Sequence, residues 1–269
     1  MRLVNCCINA VCIGYLPAIF QVLKGKCMVP ILMYHQIDQP PARGAYLRGA
    51  TVHPRRFANQ MLLLKRLGYQ GLSLRDALPY IRGEQQGKVF VLTFDDGYKN
   101  VFDYARPILN TLGFTATNFV VSGLIGGMNE WMFAKGSLPA QLMNQDEILQ
   151  WYEQGHEIGS HTVDHCYLSE LSAQEQLQQV SQSKADLEDL LGDTVSSFCY
   201  PYGDLDERAI FAVRQAGYRC AVATHKGLAL DEDNLYALPR ISIIRSNHIV
   251  RFYQKVATTL EHRRRTVFW

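Results

Sequence analysis

An excess of either charge is what this sequence most conspicuously lacks. Its 27 Lys and Arg against 25 Asp and Glu leave a net charge of +2 over 269 residues, which gives no case for nucleic acid as a partner. Repeats, linkers and low-complexity segments are absent as well, so nothing points to a solenoid or a string of modules. No two Cys-x-x-Cys pairs occur, and the seven cysteines therefore show no structural zinc site. Cys166, Cys199 and Cys220 read as small buried residues rather than a disulfide framework. Charged residues make up 19% and hydrophobic residues 48%, which excludes a disordered chain. The length suits one domain with one sizeable core.

A clear signal-peptide cleavage site is also missing. Leu3 to Leu23 is mostly apolar and lies between Arg2 and Lys24, near the ~20 residues that a membrane-spanning helix needs. Asn5, Asn9, Pro17 and Gln21 interrupt it. Three readings of residues 1–28 stay open: an uncleaved membrane anchor, a poor signal peptide, or a helix packed beside the domain. The expectation for location is the cell envelope, membrane-associated or periplasmic, with the cytoplasm as the alternative. Residues 29–250 form the main domain, and 251–269 a C-terminal helix with a basic tail. That tail, Arg263-Arg264-Arg265, reads as a solvated end, or as a contact to an acidic lipid surface or glycan.

What is present alternates between strand and helix signals. Strands are expected at 29–34, 88–94, 116–121, 157–159, 197–200, 219–223 and 241–244. Helices are expected from Pro54 to Leu67, from Ser73, over 100–112, and from an Asn144 cap to Gln154. A further helix follows a Ser172/Glu175 capping box, with Leu177, Val180, Leu187 and Leu191 on its inner face. Such alternation implies a largely parallel sheet with crossover helices. Residues 123–139, with Trp131, Met132 and Phe133, lack a period and read as a loop near the ligand site.

Val91-Leu92-Thr93-Phe94-Asp95-Asp96-Gly97-Tyr98 carries the most chemistry. A buried strand that ends in two carboxylates delivers them to the rim of a sheet, where α/β enzymes bind ligands. A bound cation relieves their mutual repulsion. Asp-Asp-Gly is equally a common turn. Gly159-Ser160-His161-Thr162-Val163-Asp164-His165 follows another short strand. On a helical turn its two histidines, four apart, share one face and can share a metal. Two His and one carboxylate make a zinc set with open positions. Phe198-Cys199-Tyr200-Pro201-Tyr202-Gly203 ends a third apolar stretch in a sharp turn, which can present a backbone N–H to an oxyanion.

Taken in order, Thr93-Phe94-Asp95-Asp96-Gly97, His161-x-x-x-His165 and Cys199-Tyr200-Pro201-Tyr202-Gly203 resemble the three motifs of the polysaccharide deacetylases, carbohydrate esterase family four. The resemblance covers roughly residues 29 to 245. It implies a distorted (β/α)7 barrel and the removal of N-acetyl groups from an amino-sugar glycan. It makes Asp95 the general base, and Asp96, His161 and His165 the ligands of one divalent metal ion, zinc first among candidates. Tyr202, supported by Pro201, becomes the backbone oxyanion donor. Two departures stand out. Cys199 occupies the place of the family's arginine, and the late segment that carries the catalytic acid is absent. Pro30-Ile31-Leu32-Met33-Tyr34-His35, an apolar run ending in His, resembles that segment moved to the front, as in the circularly permuted branch that includes poly-N-acetylglucosamine deacetylases. This places the acid on His35. His225, after the apolar 220–224, competes for the role, and either histidine could be structural. Arg240 either replaces the missing arginine by pairing with Asp95 or lies on the surface. Trp131, Phe133 and Tyr202 are candidates to stack on a sugar ring. Two other classes remain: an amidase of a lipid-linked sugar or other small amide, and a catalytically silent sugar-binding barrel.

Overall fold

A computed structural model describes residues 28–265, apart from the side chains of Ala134 and Lys135. The apolar segment expected over residues 1–28 lies, except for Met28, outside the described residues. Among the described residues no helix is long and apolar enough to cross a membrane.

Seven parallel strands close into a ring. In chain order, with a short wedge strand as the second, they are β1 (Ile31–Tyr34), β2 (Gln70–Leu72), β3 (Val89–Phe94), β4 (Thr117–Val120), β5 (Glu157–Ser160), β6 (Ser197–Cys199), β7 (Cys220–Lys226) and β8 (Leu238–Ser242). The ring runs β1-β3-β4-β5-β6-β7-β8 and returns to β1, where Ile241 pairs with Leu32. The wedge β2 pairs with the first half of β3, from Val89 to Val91, while β4 pairs with its end at Thr93 and Phe94. This is the barrel expected, with an added strand that a three-residue, glycine-centred segment did not announce.

The strands are apolar on both faces, as a parallel sheet covered by helices requires. Phe90, Leu92 and Phe94 of β3 pack outward with helix residues such as Phe57, Met61 and Trp151. Val89 and Val91 point into the barrel, with Ile31, Phe119, Cys199, Val222 and Leu238. The end at which the strands begin is closed by α2 (Leu74–Ile81). Its Leu74, Ala77, Leu78 and Ile81 form one stripe at helical spacing and fill the barrel interior. Its first N–H groups are met by the barrel: Leu74 N donates to Thr117 Oγ1 at 2.8 Å and Arg75 N to Glu157 Oε2 at 2.8 Å. Glu157 is buried, yet it also accepts from Thr117 and Ser197, so its carboxyl group caps the helix with a partner on each oxygen.

The outer helices are α1 (Pro54–Arg66), α3 (Arg106–Leu112), α4 (Gln145–Glu153), α5 (Ala173–Leu191), α6 (Glu207–Gln215) and α7 (Ile249–Val256). Asn144 and Ser172 cap α4 and α5 through complete capping boxes. The inward line of α5 is Gln176, Val180, Ser183 and Leu187, which sets Leu177 and Leu191 at its edges rather than on its inner face. The helix expected over 100–112 divides into a wide turn, Val101–Ala105, and α3. Pro107 has no N–H for the carbonyl four residues back, so regular α-helix cannot run through. The C-terminal helix begins at Ile249, and its buried Phe252 joins the same core as Phe57. Helix α7 therefore packs on the barrel through Phe252 and Val256. The last arginine is pinned, because Arg265 pairs with Asp233.

Candidate functional site

Alternation along the strands sends every second residue inward, and the last inward positions build the site. Tyr34 and Phe94 are in register, and Asp95 N donates to Tyr34 O at 3.0 Å. His35 and Asp95 thus leave adjacent strands side by side, and His35 is among the groups that lower both aspartates. Arg240 of β8 is fully buried and reaches across the ring to Asp95 with a bidentate pair, Nη1 to Oδ1 at 2.7 Å and Nη2 to Oδ2 at 2.8 Å. Its remaining N–H groups go to Thr93 Oγ1 at 3.0 Å, Ala223 O at 2.8 Å and Cys199 Sγ at 3.2 Å. Every donor is used, which a buried guanidinium requires. A cysteine at 199 leaves room inside the barrel for the arginine that arrives from β8. Burial works to raise the Asp95 pKa, but Arg240, with His35 and His161 behind it, holds the carboxyl below its ordinary range.

Asp96 points the other way and meets the two histidines. His161 Nε2 lies 3.4 Å and His165 Nε2 3.2 Å from the same oxygen, Oδ1. Among the described residues these three form one buried set whose ligand atoms all fall within 4.8 Å of one another. The histidines do not lie on a helical turn. Residues 161–165 form an irregular bend after β5, with Thr162 at φ 66° and His165 at φ 56°. The bend is fixed by His165 N donating to Thr162 Oγ1 at 3.0 Å, and it brings the rings edge to face at 4.8 Å. Of five non-glycine residues with positive φ among those described, Asp96, Thr162, His165 and Tyr202 are at this site. Such conformations persist where the surroundings over-determine them, and they cluster at functional sites.

The donor set fits a divalent metal. His161 Nδ1 is 2.7 Å from the Cys199 carbonyl, which makes Nδ1 the donor and turns Nε2 toward Asp96; against the cost of burial, Cys199 and Asp96 hold this ring well above the ordinary imidazole range. Burial, together with repulsion from His161, keeps His165 below the ordinary imidazole range despite Asp96, and a neutral ring is the ligating form. Against the cost of burial, the two imidazoles hold Asp96 well below the usual carboxylate range.

Tyr202 sits in the Pro201–Gly203 turn at φ 60°. Gly203 is required there: a Cβ would stand 1.9 Å from Thr224 Oγ1, at a φ of +72°. The Tyr202 ring stacks on Tyr167 at 3.9 Å and meets the edge of His165 at 4.6 Å, while Trp131 stacks on His165 at 4.4 Å. The 123–139 loop therefore does reach the site, but Trp131 is spent on a metal-type histidine, and Phe133 stays exposed. His225 is half-buried, and the charges that act on it are those of Arg265, Asp233 and Arg240, while it forms no part of the buried Asp96–His161–His165 set. Sequence reasoning missed Tyr167, two residues past His165, and Tyr98, whose phenol burial and neighbouring Asp96 push far up. It also missed the part played by the Cys199 carbonyl. Tyr98 had a signal, since it closes the Asp-Asp-Gly-Tyr run, whereas Tyr167 and a main-chain oxygen had none.

A parallel barrel with a buried Asp-His-His set and an arginine-held aspartate at its mouth is an enzyme scaffold of the hydrolytic metal-site kind. The match to known families is specific: the Polysaccharide deacetylase family model covers residues 82–221, and the chain belongs to that family, whose members are generally metal-dependent. Among curated relatives it is 29% identical to YxkH of Bacillus subtilis, which is named for the polysaccharide deacetylases, over 80% of this chain and 71% of that one. It is 23% identical to the poly-beta-1,6-N-acetyl-D-glucosamine N-deacetylase of Staphylococcus aureus, over 73% of this chain and 69% of that one. Among solved structures it superposes on the deacetylase PplD of Streptococcus pyogenes, in complex with acetate, with a TM-score of 0.75 and 26% identity, covering 86% of this chain and 99% of that one.

Proposed function

We propose that the protein removes N-acetyl groups from a β-linked amino-sugar polymer, with zinc held by Asp96, His161 and His165. The observation that carries this reading is the shared Asp96 oxygen with both Nε2 atoms turned to it, beside an Asp95 that Arg240 has already claimed. Asp95 and Asp96 are neighbours of the same type, but one faces Arg240 and the other the histidines, so they take different roles. Two imidazoles and one carboxylate favour zinc among divalent ions. Bound there, the metal would supply Lewis-acid activation of water and of the acetyl carbonyl.

The chain's own residues complete the reaction. Asp95, kept ionised and oriented by Arg240, takes the proton of the attacking water. The Tyr202 backbone N–H is the donor for the oxyanion, a contribution typically worth ~3 kcal/mol. His35 then gives its proton to the departing amine, which leaves poorly until protonated, and such help is typically worth about 10² to 10⁴ in rate. A groove of about 370 Å³ lined by Gln36, Asp38, Lys99 and Asn100 starts one residue past His35 in the chain, which supports a polymer that runs on past the reacting sugar. The named activity of the Staphylococcus aureus relative supports an N-acetylglucosamine polymer as substrate.

The test is acetate release from N-acetylglucosamine oligomers, with metal analysis, on two variants. Asp95→Asn should keep the metal and lose rate by orders of magnitude, because the shape stays and the proton acceptor goes. Asp96→Asn should lose the metal itself. The opposite pattern would swap the two roles, and cleavage of some other amide with no acetate from any amino sugar would refute the substrate class.

A further inference from the structure

One side of the barrel carries a surface that deacetylation does not use. No Asp or Glu occurs between residues 39 and 75, or between 234 and 260, although the whole chain is nearly neutral. The fold sets these two segments side by side. Arg245 N donates to Gly49 O at 2.8 Å, and Gln60 Nε2 to Asn247 O at 3.1 Å. The start of α1 and the start of α7 then face one cleft, lined by His53, Arg55, Arg56, Asn59, His248 and Ile249, with no carboxylate among its lining residues.

The charges there run against what helices prefer. Arg55 and Arg56 lie in the first turn of α1 and Arg251 in that of α7, and neither first turn contains an acid. A helix N-terminus is stabilised by negative charge and disfavours positive charge. The caps are histidines: His53 Nδ1 accepts from Arg55 N and His248 Nδ1 from Arg251 N. Among the described residues no carboxylate lies within ion-pair distance of Arg55, Arg56, Arg245 or Arg251. Large apolar side chains stand out of this same basic surface, with Val250 58%, Ile249 43% and Ile244 40% exposed. A sequence that breaks a local rule without compensation inside the chain points to a compensating partner outside it.

We propose that this face docks on the surface of an anionic lipid bilayer. Apolar tips ringed by arginines suit an interface where acyl chains lie below a negative headgroup layer, because the tips enter and the guanidinium groups stay at the phosphates. A soluble polyanion would satisfy the arginines but would leave three aliphatic side chains in water. The face belongs to α1 and α7 and the turn after β8, and none of His35, Asp95, Asp96, His161 or His165 lines its cleft. The inference stands apart from the deacetylase reading, since binding can be measured without turnover.

The experiment is co-sedimentation of the full chain with phosphatidylcholine vesicles, with and without phosphatidylglycerol, over a range of salt. Binding should need phosphatidylglycerol and fade as salt rises. Arg55→Glu with Arg56→Glu should weaken it at least tenfold, since one basic residue near such a surface is worth about fivefold. Val250→Asp should weaken it several-fold. Both variants should keep the acetate release of the wild type on soluble oligomers, and Arg55→Glu with Arg56→Glu should not lower the melting temperature, since acids suit the first turn of a helix. The proposal is overturned if the protein ignores phosphatidylglycerol vesicles at low salt, or if binding survives both variants unchanged. Retention by polyphosphate in solution with none by vesicles would overturn it too, and would make the face a polyanion site.

Discussion

At the scale of single residues, the site is a division of labour between side chains of the same kind. His35 leaves β1 next to Asp95, while His225 is on β7 among the charges of Arg265, Asp233 and Arg240. His35→Ala is therefore expected to lower kcat by about 10² or more with metal content unchanged, as loss of a general acid does, and His225→Ala to leave kcat near the wild type. Steady-state kinetics on an N-acetylated oligomer separate the two, and a crippled His225→Ala would put the acid in the wrong place. The Arg240–Asp95 pair makes a second prediction. Arg240→Ala leaves a buried carboxylate uncompensated, which typically costs about 3–5 kcal/mol. Because Cys199 Sγ lies 3.2 Å from the guanidinium, adding Cys199→Arg to that variant should return part of the stability and part of the rate. Chemical denaturation of the single and double variants measures it, and no recovery would mean that position 199 cannot aim a guanidinium at Asp95. Much of this was legible in the sequence, because Asp95, Asp96, His161 and His165 sit in contiguous motifs. Arg240 was named as a partner for Asp95 but a surface position stayed open, since the choice depends on the register between β8 and β1, two strands some two hundred residues apart.

At the scale of elements, the differences from the sequence reading have local causes. Two histidines four apart suggested a helical turn, but the Thr162 hydroxyl holds the His165 N–H and left-handed residues fold the chain back. Periodicity cannot show such a bend. The divided helix at 101–112 follows from one proline. Between α4 and β5, His156 offers a test of a buried titrating group. Its ring lies tilted against Trp151 at 4.4 Å, pairs through Nε2 with Asn110 Oδ1 at 2.9 Å and is almost fully buried. Burial, with Arg106 nearby, lowers its pKa from 6.5 to about 4. The sign follows directly. Below pH 6.5 the unfolded chain takes up a proton that the folded chain refuses until about pH 4. Stability is therefore flat above 6.5 and falls as pH drops through that window, by up to roughly 3 kcal/mol from this group. His156→Gln should flatten the pH dependence of unfolding between pH 6.5 and 4 relative to the wild type. Parallel curves for the two proteins would show that His156 is not the group responsible.

At the scale of the whole molecule, the seven ring strands were each visible as apolar segments with turn signals after them, and the helices between them dictated a parallel arrangement. Closure followed from the family resemblance and not from any segment's own pattern, and neither the wedge β2 nor the use of α2 as a plug was visible, because each depends on which buried faces meet. The plug and the site are the two ends of one interior: α2 fills the start of the barrel, and the inward positions that remain at its mouth hold the charged groups. The central claim is that this mouth is a metal-dependent N-deacetylase centre. The measurement that tests it most directly is acetate release from N-acetylglucosamine oligomers by protein stripped with a chelator and then reloaded with zinc, with metal content followed by elemental analysis. The account predicts that release vanishes on stripping and returns as about one zinc binds per chain, the stoichiometry of a three-ligand catalytic site. Full release from protein shown to be free of metal would contradict it.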